Sequence, residues 1–91
     1  MENWHSQSET ENFIWKGLQG LGITPRDVAV EGLEVRIEVT RTKEIRLPVW
    51  ALCAGISELS SSGIRRNLIK DWSLESQLGY LVWKGRRNGH R

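Results

Sequence analysis

The side chains with the greatest chemical capacity in this chain are one cysteine, two histidines and five tryptophans. Their positions decide between chemistry and recognition. A nucleophilic Cys53 would need a base beside it and a third group to orient that base. His5 and His90 lie near the two ends of the sequence, and the stretch around Cys53, "WALCAGIS", offers no charged partner. Nothing there argues for a reactive thiolate. A zinc site draws on three or four ligands at set spacings, more than these residues supply. Two-carboxylate hydrolysis needs acids converging on one cleft, whereas the acids here fall on the outer side of a hairpin or in helix starts. Phosphate-cradling loops, dinucleotide fingerprints and nucleophile elbows are absent from the sequence. The expectation is a protein with no catalytic residues, no metal and no cofactor.

Tryptophan and arginine point instead to recognition, because both are enriched where partners bind. Trp50 leaves the apolar stripe of Val49, Leu52 and Ile56, so it is expected to be partly exposed. Arg65 and Arg66 fall off the stripe of Ile64, Leu68 and Trp72. Trp50, Arg65 and Arg66 form the candidate protein-binding set. Trp15, Trp72 and Trp83 lie in or beside apolar patterns and are expected to fill a small core, while Trp4 sits in a polar stretch. The second candidate set is Lys84, Arg86, Arg87 and Arg91 in the terminal "KGRRNGHR", suited to nucleic acid. The net charge is +2 and the sequence pI is near 9.0. Without those four of the 13 basic residues, nine remain against 11 acidic ones. The body is slightly acidic, and the positive charge belongs to the end of the chain.

These residues need a scaffold, and apolar periodicity supplies its outline. Phe13, Ile14, Leu18 and Leu21 fit one helical face, with Ser8 or Thr10 as cap and Gly22 as terminator. After Pro25, "VAVEGLEVRIEVT" reads as two strands about a Glu31-Gly32 turn or bulge. Leu33, Val35, Ile37 and Val39 face one way; Glu34, Arg36, Glu38 and Thr40 face the other. Ile45 and Leu47 against Glu44 and Arg46 repeat the alternation. A three-residue loop, Arg41 to Lys43, pairs Val39 with Ile45, Ile37 with Leu47 and Glu38 with Arg46, whereas a two-residue loop mixes the faces. The charged ladder then reads as the solvent side of the sheet.

Pro48 suits the opening of a helix. Val49, Leu52, Cys53, Ile56 and Leu59 follow at helical spacing, with Cys53 as a small apolar residue. A serine cluster precedes a second helical stripe, Ile64, Leu68 and Trp72. "GYLVWKG", between glycines, reads as a returning strand. The expected fold is α+β, with a small antiparallel sheet of three to four strands and two to three short helices, in the order α-β-β-β-α-α-β.

At 91 residues the chain makes one domain. Residues 8–84 are expected to form it, with a flexible segment 1–7 before and a basic flexible tail 85–91 after. A lone cysteine and no signal-peptide pattern suggest a reducing, cytoplasmic setting. No apolar run approaches the roughly 20 residues of a membrane helix.

The segment from Val30 to Lys84 resembles the bacterial domain of unknown function 2442 family, through "LEVRIEV", the proline-containing "EIRLPVW", the following apolar helix, "RRN", and a late "GYLVWKG". It departs from that family in having no Asp-Gly hairpin turn, no proline after Trp83, and a basic ending in place of an acidic one. The resemblance implies a small α+β, non-catalytic module associated in some relatives with a neighbouring toxin. The functional expectation is an interaction module that binds and restrains a protein partner, as an antitoxin or a phage or plasmid inhibitor would. The alternatives are a nucleic-acid-binding protein using the basic tail and an accessory subunit of a larger assembly. Homodimerisation through the free edge of the sheet is a further expectation.

Overall fold

The computed structural model describes residues 3–61 and 72–88. Six elements follow in the order α1 (Asn3–Gly20), β1 (Asp27–Glu31), β2 (Glu34–Thr40), β3 (Lys43–Pro48), α2 (Val49–Ser61) and α3 (Leu74–Asn88). The fold is α+β, an antiparallel three-stranded sheet of order β1-β2-β3 with helices packed on its apolar face.

α1 begins at Asn3, so residues 3–7 belong to the helix, and Ser8 and Thr10, the expected caps, lie inside it. Its end is built as expected around Gly22, whose φ is 86°. The Ile23 amide donates to the Leu18 carbonyl at 2.8 Å and the Gly22 amide to Gln19 at 3.0 Å, closing the last carbonyls in a Schellman motif. Leu18 and Ile23 are both buried, the apolar contact that accompanies such an end. Ile14, Leu18 and Leu21 face the core, whereas Phe13, expected on that face, points outward.

Gly32, with φ of 70°, opens a two-residue turn that pairs Glu31 with Glu34, as a glycine at the first central position allows. Leu33 is the other turn residue and is 88% exposed. The alternation inferred for β2 therefore starts one turn too early: Val35 and Ile37 are buried, and Leu33 is not part of the strand.

The second hairpin also differs from expectation. Thr40 pairs with Lys43, leaving only Arg41 and Thr42 in the loop, and a register shift lies between Glu38 and Thr40. Val39 is the extra residue of a β-bulge. A two-residue loop alone would mix the faces, and the bulge restores them by absorbing one residue. Ile37 then meets Ile45, and Val35 meets Leu47. Like charges consequently stand opposite one another, Arg36 to Arg46 and Glu38 to Glu44, where Glu38 opposite Arg46 had been expected.

Pro48 closes β3, and α2 begins at the next residue. The serine cluster does not interrupt this helix at once, because α2 runs to Ser61, whose hydroxyl donates to the Ser57 carbonyl at 2.8 Å. The helix expected over Ile64, Leu68 and Trp72 falls on residues 62–71, outside the described residues but for Trp72. The returning strand is replaced by a helix. "GYLVWKG" is the middle of α3, which turns Leu78, Leu81, Val82 and Gly85 to the interior. Ser73 caps it, its hydroxyl accepting from the Ser76 amide at 3.1 Å, the N-cap geometry that satisfies an orphan donor.

Two glycines explain how tightly the helices lie. A β-carbon on Gly55 of α2 would meet the Leu81 carbonyl oxygen, and one on Gly85 of α3 would meet that of Ala51. The two backbones touch, which only glycine permits. Gly17 of α1 lies likewise against the Ile56 side chain. The core, from Ile14 and Leu18 through Val35 and Ile37 to Leu52, Ile56, Leu78 and Leu81, is sealed by these approaches.

One edge of the sheet is partly covered. Glu11 of α1 accepts the Val30 amide of β1 at 2.7 Å, taking up a donor that an edge strand otherwise leaves to water or another chain.

Candidate interaction surface

The outer face of the sheet is charged, and its charges are spent on one another. Glu31 accepts from Arg36 Nε at 2.9 Å and from Arg46 Nη1 at 3.0 Å. Glu44 lies 3.7 Å from Arg36 and 3.5 Å from Arg46. Two carboxylates thus bridge the two directly opposed guanidiniums in a closed quartet. The paired guanidiniums of Arg36 and Arg46 hold the Glu31 carboxyl below its ordinary value, and Glu31 in turn raises Arg36. Arg26 lies 3.8 Å from Glu38. Exposed pairs contribute little each, but a balanced quartet leaves no net field for a charged ligand. The sheet face is the wet side of the fold.

Cys53 is half-buried, and burial pushes its thiol up, the opposite of what an activated nucleophile needs. An open depression of about 350 Å³ between α1 and β1 is lined by Glu11, Asn12, Trp15, Asp27 and Val28. Among the described residues, no three His, Cys, Asp or Glu side chains are grouped to hold a metal ion.

The exposed apolar residues are elsewhere. Trp50 is 48% exposed, on the outward side of the first turn of α2, as its departure from the stripe implied. Trp72 and Trp83, expected in the core, are 42% and 51% exposed. For Trp83 the reason is the change of its element from strand to helix. In α3, Leu78, Leu81, Val82 and Gly85 take the inner side, which puts Trp83 and Arg87 on the opposite side at 3.6-residue periodicity, while Tyr80 is partly buried against the core.

These side chains form a continuous run. Trp72 meets Tyr80 edge-on with centroids 6.1 Å apart, and Tyr80 stacks on Trp83 at 5.8 Å. The Arg87 guanidinium lies over the Trp83 ring, 5.1 Å from its centroid. Such ring pairs and cation–π contacts are each worth about 0.5–1.5 kcal/mol, so they order the run without burying it.

Lys84, Arg86 and Arg87, expected in a loose tail, are residues of α3. Gly85 lies against the Ala51 carbonyl, which sets the last turns of α3 beside the first turn of α2. Leu33 joins them, since its carbonyl accepts the Val49 amide at 3.0 Å. The structure thus brings Trp50 to the same end of the molecule as three of the four basic residues. Arg65, Arg66 and Arg91 lie outside the described residues. Sequence reasoning missed Leu33 and Trp83 as surface groups. The signal for Trp83 was the 3-4 spacing of Leu78, Leu81, Val82 and Gly85, and for Leu33 the glycine before it.

Comparison with known proteins gives no match to a family model, a curated protein or a solved structure.

Proposed function

We propose that this protein is a small, non-catalytic interaction module that binds and restrains a protein partner through the end of the molecule bearing Trp50 and the outer side of α3. The observation that supports this reading is the exposure of Trp72 and Trp83, linked through Tyr80 and with Arg87 over Trp83, together with the exposed Trp50 of α2. A domain this small needs its large apolar groups inside, yet here three tryptophans are about half exposed. Covering each half-exposed ring in a partner would release on the order of 1 kcal/mol, and Trp, Tyr and Arg are the residues that most often carry binding energy. An antitoxin-like or inhibitor role is the form of restraint that the family resemblance suggests.

Nucleic acid is the second reading, favoured by Lys84, Arg86 and Arg87 standing on an ordered helix beside an aromatic ring. A base-stacking platform needs a free ring face. Tyr80, three residues before Trp83, and Arg87, four residues after it, flank that ring from opposite directions along the helix. With Tyr80 stacked on it and Arg87 over it, the Trp83 ring offers a base less free face than an unengaged indole would.

Affinity capture from cells of the source organism, with and without nuclease, tests both readings. A stoichiometric protein that survives nuclease, and is lost from the Trp50→Ala and Trp83→Ala variants, is the expected result. Recovery of nuclease-sensitive material alone would transfer the assignment to nucleic acid.

A further inference from the structure

We infer that the outer margin of β3 binds a second copy of this chain, antiparallel and centred on Ile45, so that Glu44 of each copy stands opposite Arg46 of the other. The inference is independent of the reading above, which uses side chains of α2 and α3, whereas this contact is made by strand backbone.

Hydrogen-bonded positions alternate along an antiparallel ladder. Pro48 has no amide to donate, and the Val49 amide donates to the Leu33 carbonyl at 3.0 Å. Ile45 and Leu47 therefore turn their amides and carbonyls toward β2, and Glu44 and Arg46 turn theirs outward. The same alternation turns the Val30 amide outward on β1, where Glu11 accepts it at 2.7 Å. Among the described residues, nothing outside the sheet takes up the amide of Glu44 or Arg46.

Backbone and charge select the same register. Centring the pair on Glu44 sets Glu44 against its own copy. Centring it on Arg46 sets Arg46 against its own copy and Glu44 against Pro48, which cannot donate. Registers centred between residues mix the two faces. Centring on Ile45 gives every outward amide an outward carbonyl and sets opposite charges across the seam at both ends. The outer row then reads Glu38 and Glu44 from one chain, Arg46 and Arg36 from the other. The like charges that stand opposite each other within a chain become an acidic pair facing a basic pair. Glu44 has capacity for this contact: it lies 3.7 Å from Arg36 and 3.5 Å from Arg46, whereas Glu31 lies 2.9 Å and 3.0 Å from the same guanidiniums. On the other face, Ile45 of each copy meets Ile45 at a non-hydrogen-bonded position, where side chains come closest. That residue is only partly buried in the single chain.

Sedimentation velocity of the whole chain over a concentration series is expected to show monomer and dimer and nothing larger. Glu44→Arg sets Arg against Arg across the seam, and Arg46→Glu sets Glu against Glu. Each should weaken the dimer about tenfold or more. Each also makes an opposite pair within the chain, with Glu38 or with Arg36, so the loss does not come from weaker pairing of β2 with β3. Mixed, the two variants present Arg at both positions of one chain and Glu at both of the other, and they should associate with each other where neither does alone. Hydrogen exchange at the Glu44 and Arg46 amides should slow with concentration, while Ile45 and Leu47 are protected throughout.

A chain that sediments as a monomer at every concentration overturns the inference. So does a dimer indifferent to both reversals, or a pair of variants that stay apart when mixed. Protection of the Glu44 and Arg46 amides by a protein captured from cells, in place of a second copy, overturns it in favour of strand addition by that partner. A monomeric chain whose captured protein still depends on Trp50 and Trp83 overturns this inference and leaves the interaction reading standing.

Discussion

Leu33 carries the plainest lesson among single residues. Strict alternation from Leu33 to Val39 put it in the core, yet the glycine before it makes it the tip of a two-residue turn, 88% exposed. Leu33→Ser should therefore change the melting temperature little, within about 0.5 kcal/mol of stability; a core leucine would cost several-fold more. A calorimetric melt of the variant decides between the two. Glu31 makes the opposite case, an exposed residue with several partners. Its folded carboxyl lies below its ordinary value of 4.5 because Arg36 and Arg46 donate to it. A depressed folded value contributes stability that is present above the unfolded value and lost as pH falls through the folded one. Glu31→Gln should accordingly lower the urea midpoint near neutral pH and flatten its decline below about pH 4.5, as a midpoint-against-pH series will show. The sequence displayed both signs of this quartet. The diagonal pairing was hidden, because it depends on a bulge that apolar alternation does not mark.

Between elements, glycine decides where helices meet. "GYLVWKG" read as a strand because glycines bracket a short apolar run, and a run that short suits either conformation. Gly79 and Gly85 are both helical, and they differ in surroundings. Nothing lies within 4 Å of a β-carbon built on Gly79, whereas one on Gly85 would strike the Ala51 carbonyl and the Gly55 amide. Gly79→Ala should raise stability by about 1 kcal/mol through helix propensity. Gly85→Ala, despite the same gain, should lower it by about 1–3 kcal/mol, since backbone cannot rearrange as a side chain does. Paired thermal melts followed by circular dichroism check the two signs together. The hairpins were legible to the level of strands and faces. Register was not, because the loop of two residues and the extra residue at Val39 compensate for each other and leave the same apolar pattern.

For the molecule as a whole, the sequence yielded an α+β fold with an antiparallel sheet of three to four strands, of which the described residues form three, and located one exposed tryptophan, Trp50. It assigned Trp72 and Trp83 to the interior because composition alone suggests that a small core needs them, and only the choice of helix over strand at Trp83 reverses this. The exposure of Trp50, Trp72 and Trp83 has a direct spectroscopic counterpart. Tryptophan emission of the native protein should be red-shifted relative to a buried indole and strongly quenched by iodide, and Trp50→Phe with Trp83→Phe should remove most of the quenchable fraction. Binding at that end of the molecule should protect the same fraction. The carboxylate of Glu11 on the Val30 amide has a consequence of a different kind. A sheet with two open margins can recruit copies on both sides and grow without limit, as fibres do. Here one amide of the β1 margin, that of Val30, is taken up from within the chain, and β3 is the other border strand. Strand addition along β1 would have to displace that carboxylate from the Val30 amide, a cost that pairing along an edge without such a contact does not carry.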